Sequence, residues 1–306
     1  MNWRLKVAAY KLLAAMPGGA AFYRFSQQQI TKSIRPTPER VGQKIDVAMR
    51  YLDWLEKNDK LSQLLNGVHL DFGSGWHPTI PFLYYSMGVE RQYLFDISPV
   101  MDGQMVVETL RVFLTMVEGK NWPHRDRLRR LPPRMNDGDW RKYLEGIGIT
   151  YHAPYSGIFP SLAGKVDVVT STQVLLHIPP SVMPDCFRQI HNCLKPGGLF
   201  LATVHLRDIL AGCFQTGLQK YQQLRYSPET WEKWINSPLM SFNRLKAPDY
   251  RNFLEKAGFD IRQFDIEPGS SAEIKELDQV PIDPWFQRYS REELAARHLL
   301  FAVQKR

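Results

Sequence analysis

The sequence predicts a doubly wound α/β fold, a mostly parallel sheet covered by helices on both faces. Three observations predict it. Short apolar runs at residues 68–70, 93–95, 149–151, 166–170, 199–204, 259–266 and 299–304 alternate with helix-like stretches. This is the order of a crossover-connected sheet, and the shortest runs are too brief for helices. The first run, Val68-His69-Leu70, ends in Asp71 and a tight Gly73-Ser74-Gly75 turn. The second ends in Asp96. Strand, glycine turn, helix, strand, acid is the half-site of a nucleotide-bearing ligand, with the second acid placed for ribose hydroxyls.

In chain order, residues 1–34 are basic and amphipathic: Trp3, Leu5, Val7, Tyr10, Leu12 and Leu13 are interleaved with Arg4, Lys6 and Lys11. Lys11 interrupts any signal-peptide core, and no apolar run is long enough to span a bilayer. The segment is expected as a helix packed over the rest of the chain. An interfacial helix, giving peripheral membrane contact through residues 1–34, is the alternative. Thr37 then caps a helix with Pro38 at its first position and Glu39 in its first turn. Its apolar stripe, Val41, Ile45, Ala48, Leu52 and Leu55, reads as core or lid packing. A helical extension or lid over residues 1–66 therefore precedes the sheet domain, residues 67–306.

Within that domain, residues 80–87 form a helix closed by Gly88, and 101–117 form the next crossover helix. Residues 118–148 are a Pro- and Arg-rich insertion, longer than an ordinary connection and so functional or mobile. His152-Ala153-Pro154 ends the third strand, and Ser171-Thr172-Gln173 ends the fourth. Residues 183–194 are helical, and Lys195-Pro196-Gly197-Gly198 is a turn before the fifth strand. Residues 206–247 are a second insertion, helical and aromatic. A helix at 250–257, closed by Gly258, precedes the sixth strand.

Hydrophobic content of 44% and charged content of 23% over 306 residues are ordinary for a globular protein with ample core. The three cysteines, Cys186, Cys193 and Cys213, form no metal-binding pair and read as reduced thiols of a cytoplasmic protein without a metal site. A net charge of +8 admits a nucleic acid, a membrane surface or an anionic substrate as partner. Arg125, Arg127, Arg129, Arg130 and Arg134 carry a large share of the excess in one loop, which reads as solvated surface.

The glycine turn lacks the third glycine of a dinucleotide fingerprint, since Trp76, His77 and Pro78 follow Gly75. Asp71 would repel a pyrophosphate, and it suits a ligand carrying an ammonium and a sulfonium. The stretch resembles motif I of the class I S-adenosylmethionine-dependent methyltransferases. Four further segments agree in order: VDVVTSTQVLLHI resembles motif IV, CLKPGGLFLATV the turn and fifth strand after it, YRNFLEKAGF the helix before the sixth strand, and LLFAVQK the seventh. The resemblance implies a Rossmann-like seven-stranded sheet whose last strand runs antiparallel, with S-adenosyl-L-methionine as cofactor. It also implies that Asp71, Gly73, Ser74 and Gly75 hold the methionine moiety and that Asp96 takes the ribose hydroxyls. Ile97 would pack on adenine, His152 and Ala153 would lie near its amino group, and Thr172 and Gln173 would meet the methionine ammonium. His77 departs from the pattern, for many members carry glycine there. The Trp76-His77-Pro78 turn resembles a subset associated with glycan and small-molecule pathways, in the manner of the methyltransferase-11/12 groups.

Methyl transfer is an in-line displacement, so positioning is a large part of catalysis, and an oxygen acceptor also calls for a base. His205, just beyond the fifth strand, is the first candidate, with Arg207 and Asp208 beside it; His177 is the second. His69, inside the first strand, reads as core. Ser171-Thr172-Gln173-Val174 lacks the tetrad of the adenine and cytosine amino-methyltransferases, and no cysteine lies near that edge for attack on cytosine C5. Tyr221, Tyr226, Trp231, Trp234 and Phe242 suggest an aromatic lid over a small acceptor. The expected function is therefore methyl transfer to a small-molecule or glycan-intermediate acceptor, at oxygen. The alternatives are an RNA methyltransferase, suggested by the basic balance, and a catalytically silent cofactor-binding or membrane-associated partner protein.

Overall fold

In the computed structural model, which describes residues 3–27, 34–119, 126, 128, 139–155, 160–207, 220–239 and 241–306, all seven apolar runs are strands. They are β1 (Val68–Phe72), β2 (Arg91–Phe95), β3 (Ile149–His152), β4 (Val166–Thr172), β5 (Leu194–His205), β6 (Phe259–Glu267) and β7 (His298–Lys305). The sheet order is β3-β2-β1-β4-β5-β7-β6. β1 to β5 pair in parallel, and β7 lies between β5 and β6, antiparallel to both. This is the Rossmann-like sheet expected from the sequence. Its order reverses between β1 and β4, so a crevice opens at the carboxyl ends of those two strands.

β5 begins earlier than the sequence suggests. Leu194 already pairs with Val166, and the register slips before Leu199 pairs with Val168. Lys195-Pro196-Gly197-Gly198 is thus an irregularity inside the strand and not a turn before it. Proline and glycine hide a strand from a propensity reading because both are poor formers of regular ladders.

The helices are α1 (Trp3–Ala15), α2 (Gly19–Phe25), α3 (Pro38–Lys57) and α4 (Leu61–Leu65) ahead of the sheet. Within it come α5 (Thr79–Met87), α6 (Gly103–Met116), α7 (Trp140–Gly146), α8 (Met183–Cys193), α9 (Pro228–Trp234), α10 (Ala247–Lys256), α11 (Ser271–Glu276) and α12 (Arg291–Ala295). The Thr37 side chain accepts from the Arg40 N–H at the start of α3, as the sequence predicts.

Each face of the sheet carries its own core. On one face Tyr51 and Leu55 of α3 pack with Phe82 of α5, Phe113 of α6, and Val168, Leu199 and Leu201 of the sheet. α3 thus completes the core of the sheet domain, and the segment before residue 67 is not a detached layer. On the other face Phe187 of α8 and Tyr250 of α10 pack with Phe200 and Phe301, and Val7 of α1 joins them.

The second insertion differs from the expectation of a pocket-lining aromatic lid. Trp231, Tyr221 and Phe242 are buried, and the Trp231 indole N–H donates to the Phe242 carbonyl at 2.9 Å. These rings fill the segment's own core and its seam with the sheet, while Trp234 stands exposed. The Arg125–Arg134 cluster, Cys213 and Asp208 lie outside the described residues. Among the described residues, no helix is long and apolar enough to cross a membrane.

Candidate active site

The carboxyl ends of β1 and β2 are joined by their own backbone. The N–H groups of Gly73 and Ser74 both donate to the Phe95 carbonyl, at 2.8 and 3.0 Å, which folds the chain after β1 across the end of β2. Gly73 and Gly75 both have positive φ, 81° and 67°. A Cβ on Gly73 would lie 2.3 Å from a Val174 methyl, whereas one on Gly75 would meet nothing within 4 Å. Gly73 therefore serves packing and Gly75 faces open space.

Asp96 borders that space. Its two oxygens accept from the Gly75 N–H at 2.9 Å and the Ser98 N–H at 3.0 Å. Each oxygen keeps a second lone pair, so the carboxylate can still receive two hydroxyls. Burial raises its pKa, and the backbone donors oppose the rise. Beside it Ile97 is 78% exposed, an unusual position for an isoleucine. The exposed His152 ring lies over Phe95, with centroids 4.7 Å apart, and Ala153 is half-buried next to it. An apolar rim thus surrounds a carboxylate.

Asp71 sits deeper, at 4% exposure. Burial raises its pKa to about 6; Lys44 and the Thr170 hydroxyl oppose the rise and Asp96 adds to it. Behind it runs a buried polar chain. The Gln92 amide nitrogen donates to the Pro81 carbonyl, so Gln92 Oε1 must face His69 Nδ1, which carries a proton. His69 Nε2 is then an acceptor 2.9 Å from Thr170 Oγ1, and Asp71 Oδ1 lies 3.4 Å from the same hydroxyl. Thr170 has one proton for two acceptors. The Thr170 hydroxyl gives that proton to Asp71 Oδ1, which opposes the rise in the carboxyl's pKa. The histidine read as core is indeed fully buried, its pKa lowered to about 3 by burial.

Two site residues escape the sequence reading, and both come from α3. The Lys44 ammonium donates to the His77 carbonyl at 3.2 Å, and its nearest charges are Asp71 and Asp96. Burial lowers its pKa, and the two acids oppose that. Tyr51 places its hydroxyl 3.0 Å from the Ser171 carbonyl, 3.2 Å from Thr203 Oγ1 and 3.3 Å from Thr172 Oγ1. Burial holds its pKa up at about 12, so it is a neutral donor that ties α3 to the ends of β4 and β5. Lys44, Ala48, Tyr51 and Leu55 share one helical face. The available signal was a lysine in line with an apolar stripe. His77, which replaces a common glycine, anchors the turn: its Nε2–H donates to the Ile34 carbonyl at 2.5 Å, ahead of α3.

Thr172 and Gln173 end β4 as expected. Gln173 has a φ of 59°, and its N–H donates to the Thr203 carbonyl at 3.0 Å. Its Oε1 is buried without a hydrogen-bond partner, and so is the Ser74 Oγ. Buried polar atoms are rarely left so. Unpartnered acceptors at the ends of β1 and β4 suit a ligand that brings ammonium and hydroxyl donors.

The structure separates the two histidine candidates. His205 lies at the carboxyl end of β5 as expected, but its ring stacks on His298 at 4.8 Å and its Nδ1 faces the Arg297 carbonyl at 3.3 Å. Burial, with His298, Arg207 and Lys246 adding, lowers its pKa to about 4. That makes it a feeble base, and the orienting acid expected beside it, Asp208, is outside the described residues. His177 is different. Its Nδ1–H donates to the Ser241 carbonyl at 2.9 Å, so Nε2 is the unprotonated acceptor nitrogen. Its backbone N–H donates to the carbonyl of Val174, the residue packed on Gly73. Burial lowers its pKa and the Ser241 bond opposes that.

A family model described as a methyltransferase domain matches residues 38–263, well over half of the chain. Among solved structures, the chain is similar to an S-adenosylmethionine-dependent methyltransferase from Mesorhizobium loti (16% identity, 82% of this chain and 97% of that one, TM-score 0.43). It is also similar to geranyl diphosphate methyltransferase in complex with S-adenosylmethionine (10% identity, 81% and 82%, TM-score 0.43). A third is the [4+2]-cyclase SpnF (14% identity, 82% and 80%, TM-score 0.41). No curated protein matches the chain. By the family match, the chain belongs to the methyltransferase-domain family and is an S-adenosylmethionine-dependent methyltransferase.

Proposed function

We propose that this enzyme transfers methyl to a hydroxyl oxygen of a small-molecule or glycan-type acceptor, with S-adenosylmethionine held over the carboxyl ends of β1, β2 and β4. The observation that supports the cofactor's place is that Ser74 Oγ and Gln173 Oε1, in the segments that follow β1 and β4, are buried without hydrogen-bond partners. In this reading Asp71, Gly73, Ser74, Gly75, Thr172 and Gln173 receive the methionine end, and Asp96 receives the ribose hydroxyls. Ile97, His152 and Ala153 border the adenine. Bound S-adenosylmethionine supplies an electrophilic methyl group on a sulfonium. The chain's own part is to hold donor and acceptor in line, to exclude water and to take a proton.

A small acceptor is favoured because Lys44 and Tyr51 bring α3 over the ends of β1, β4 and β5. A helix covering that edge favours a compact acceptor over a duplex. Oxygen is favoured because His177, in the turn after β4, keeps Nε2 unprotonated as a proton acceptor. The test is to incubate the enzyme with methyl-labelled cofactor and separate pools of alcohols and sugars, amines, and RNA. Label should appear in the hydroxyl pool as an alkali-stable ether. Label in RNA alone, weakening steeply with salt, would overturn this reading.

The raised pKa of Asp71 gives a pH test. Its folded value of about 6 lies above the ordinary carboxylate value of 3.8. Between those values the folded protein binds a proton that the unfolded chain releases, so Asp71 destabilises the fold as pH rises through this window. A cationic cofactor end draws the opposite way and needs the carboxylate. Affinity for S-adenosylmethionine is therefore expected to rise several-fold between pH 5 and 7. Calorimetry should show the rise flattened in Asp71→Asn; an unchanged pH profile in that variant would remove Asp71 from the ligand's reach.

A further inference from the structure

We infer that α1 docks this enzyme on an anionic lipid surface. A helix at a protein surface ordinarily presents one apolar face, toward the core. α1 presents two. Its inner face is engaged: Val7 is 5% exposed and belongs to the core that contains Trp231 and Ile235, and Tyr10 packs against it. On its outer face Leu5 is 63% and Leu12 64% exposed, and Met16, just past the helix end, is 52% exposed. Phe22 on α2, which follows at once, is 56% exposed.

The arrangement is ordered. At about 100° per residue, Leu5, Ala9 and Leu12 fall within roughly 60° of arc. Lys6 lies on one flank of this stripe, and Arg4 and Lys11 lie on the other. That is the section of a helix lying in a membrane interface, apolar wedge down and cations beside it at headgroup depth. α9 lies against α1. The Lys11 ammonium donates to the Lys233 carbonyl at 2.6 Å, which fastens α1 to α9. The next residue, Trp234, is 62% exposed, with the Lys233 ammonium 5.2 Å from its ring. Tryptophan at the rim of an apolar patch suits the headgroup layer.

Charge selects the occupant. No acidic residue precedes Glu39, whereas Arg4, Lys6, Lys11, Arg24 and Lys32 are basic. A second copy of this chain would bring an equally basic α1 and a net charge of +8, so like charges would meet. A surface of phosphate-bearing lipid neutralises them. Among the described residues no helix can cross a bilayer, so the contact is peripheral.

The test is co-sedimentation of the full chain with phosphatidylcholine vesicles, with and without phosphatidylglycerol. Binding should be at least tenfold stronger to the anionic vesicles and should weaken as salt is raised. The double variant Leu5→Glu/Leu12→Glu should lose binding at least tenfold while keeping its melting temperature and its affinity for S-adenosylmethionine, since both side chains are exposed. Lys6→Gln should weaken binding about fivefold. No binding to either vesicle would overturn the inference. So would a wild-type dimer in light scattering that Leu5→Glu/Leu12→Glu turns into a monomer, because a second copy would then cover the stripe.

Discussion

Replacing His177 by alanine is expected to lower turnover by about 10²–10⁴-fold and to leave affinity for S-adenosylmethionine nearly unchanged. The expectation rests on the bond from Nδ1 to the Ser241 carbonyl, which fixes the tautomer and leaves Nε2 without a proton. His177 closes the short turn after β4 that begins at Val174, the residue packed on Gly73. Desolvation lowers its pKa, which favours the neutral imidazole that can accept a proton. The acid limb of the kcat profile should accordingly fall below the ordinary imidazole value of about 6.5. His205→Ala is the control. Its ring is bound up with His298 and its pKa lies near 4, so the loss there should be mild. A His177→Ala variant with full turnover, or a large loss confined to His205→Ala, would reverse the assignment. Full turnover in both would mean that the acceptor needs no base, as an amine or a thiolate would not.

Tyr51→Ala is expected to destabilise the fold by about 3–5 kcal/mol, the range for removing a buried aromatic side chain. Tyr51 is fully buried against the sheet and is the only described residue whose hydroxyl meets Ser171, Thr172 and Thr203 together. Tyr51→Phe separates packing from hydrogen bonding. It keeps the ring and loses the donor to the Ser171 carbonyl, at a cost of about 1–3 kcal/mol. Since Thr172 and Gln173 end the same strand, the phenylalanine variant should also bind the cofactor more weakly than wild type. Denaturant unfolding of both variants, with calorimetry of the second, measures these effects. A Tyr51→Phe protein as stable and as tight-binding as wild type would reduce α3 to a passive cover.

The sheet was legible because its strands are apolar runs punctuated by glycine and acid, and burial on both faces demands that pattern. The turn at Gly73 and Gly75 and the acid at Asp96 were legible because positive φ and a carboxylate ending a strand have few substitutes. Lys44 and Tyr51 were not. They lie 24 and 17 residues before the start of β1 on a helix whose stripe reads as packing, and only the crossing of α3 over the sheet brings them to the edge. The proposed preference for His177 over His205 has a similar cause. Distance along the chain places both histidines at the carboxyl edge, but only the antiparallel insertion of β7 puts His298 and Arg297 against His205. The aromatic residues of the second insertion looked like a lid because composition alone does not tell a pocket lining from a small core.

The measurement that bears most directly on the site is calorimetry of S-adenosylhomocysteine binding to the wild-type protein and to Asp96→Ala. Asp96 is held by two backbone donors and keeps a free lone pair on each oxygen, and hydrogen bonds to a charged group contribute about 1.5–3 kcal/mol each. The wild-type protein should bind the nucleoside, and Asp96→Ala, shown to be folded by a cooperative unfolding transition, should bind at least tenfold more weakly. Equal affinity in the two proteins would contradict the placement of the cofactor over β1 and β2.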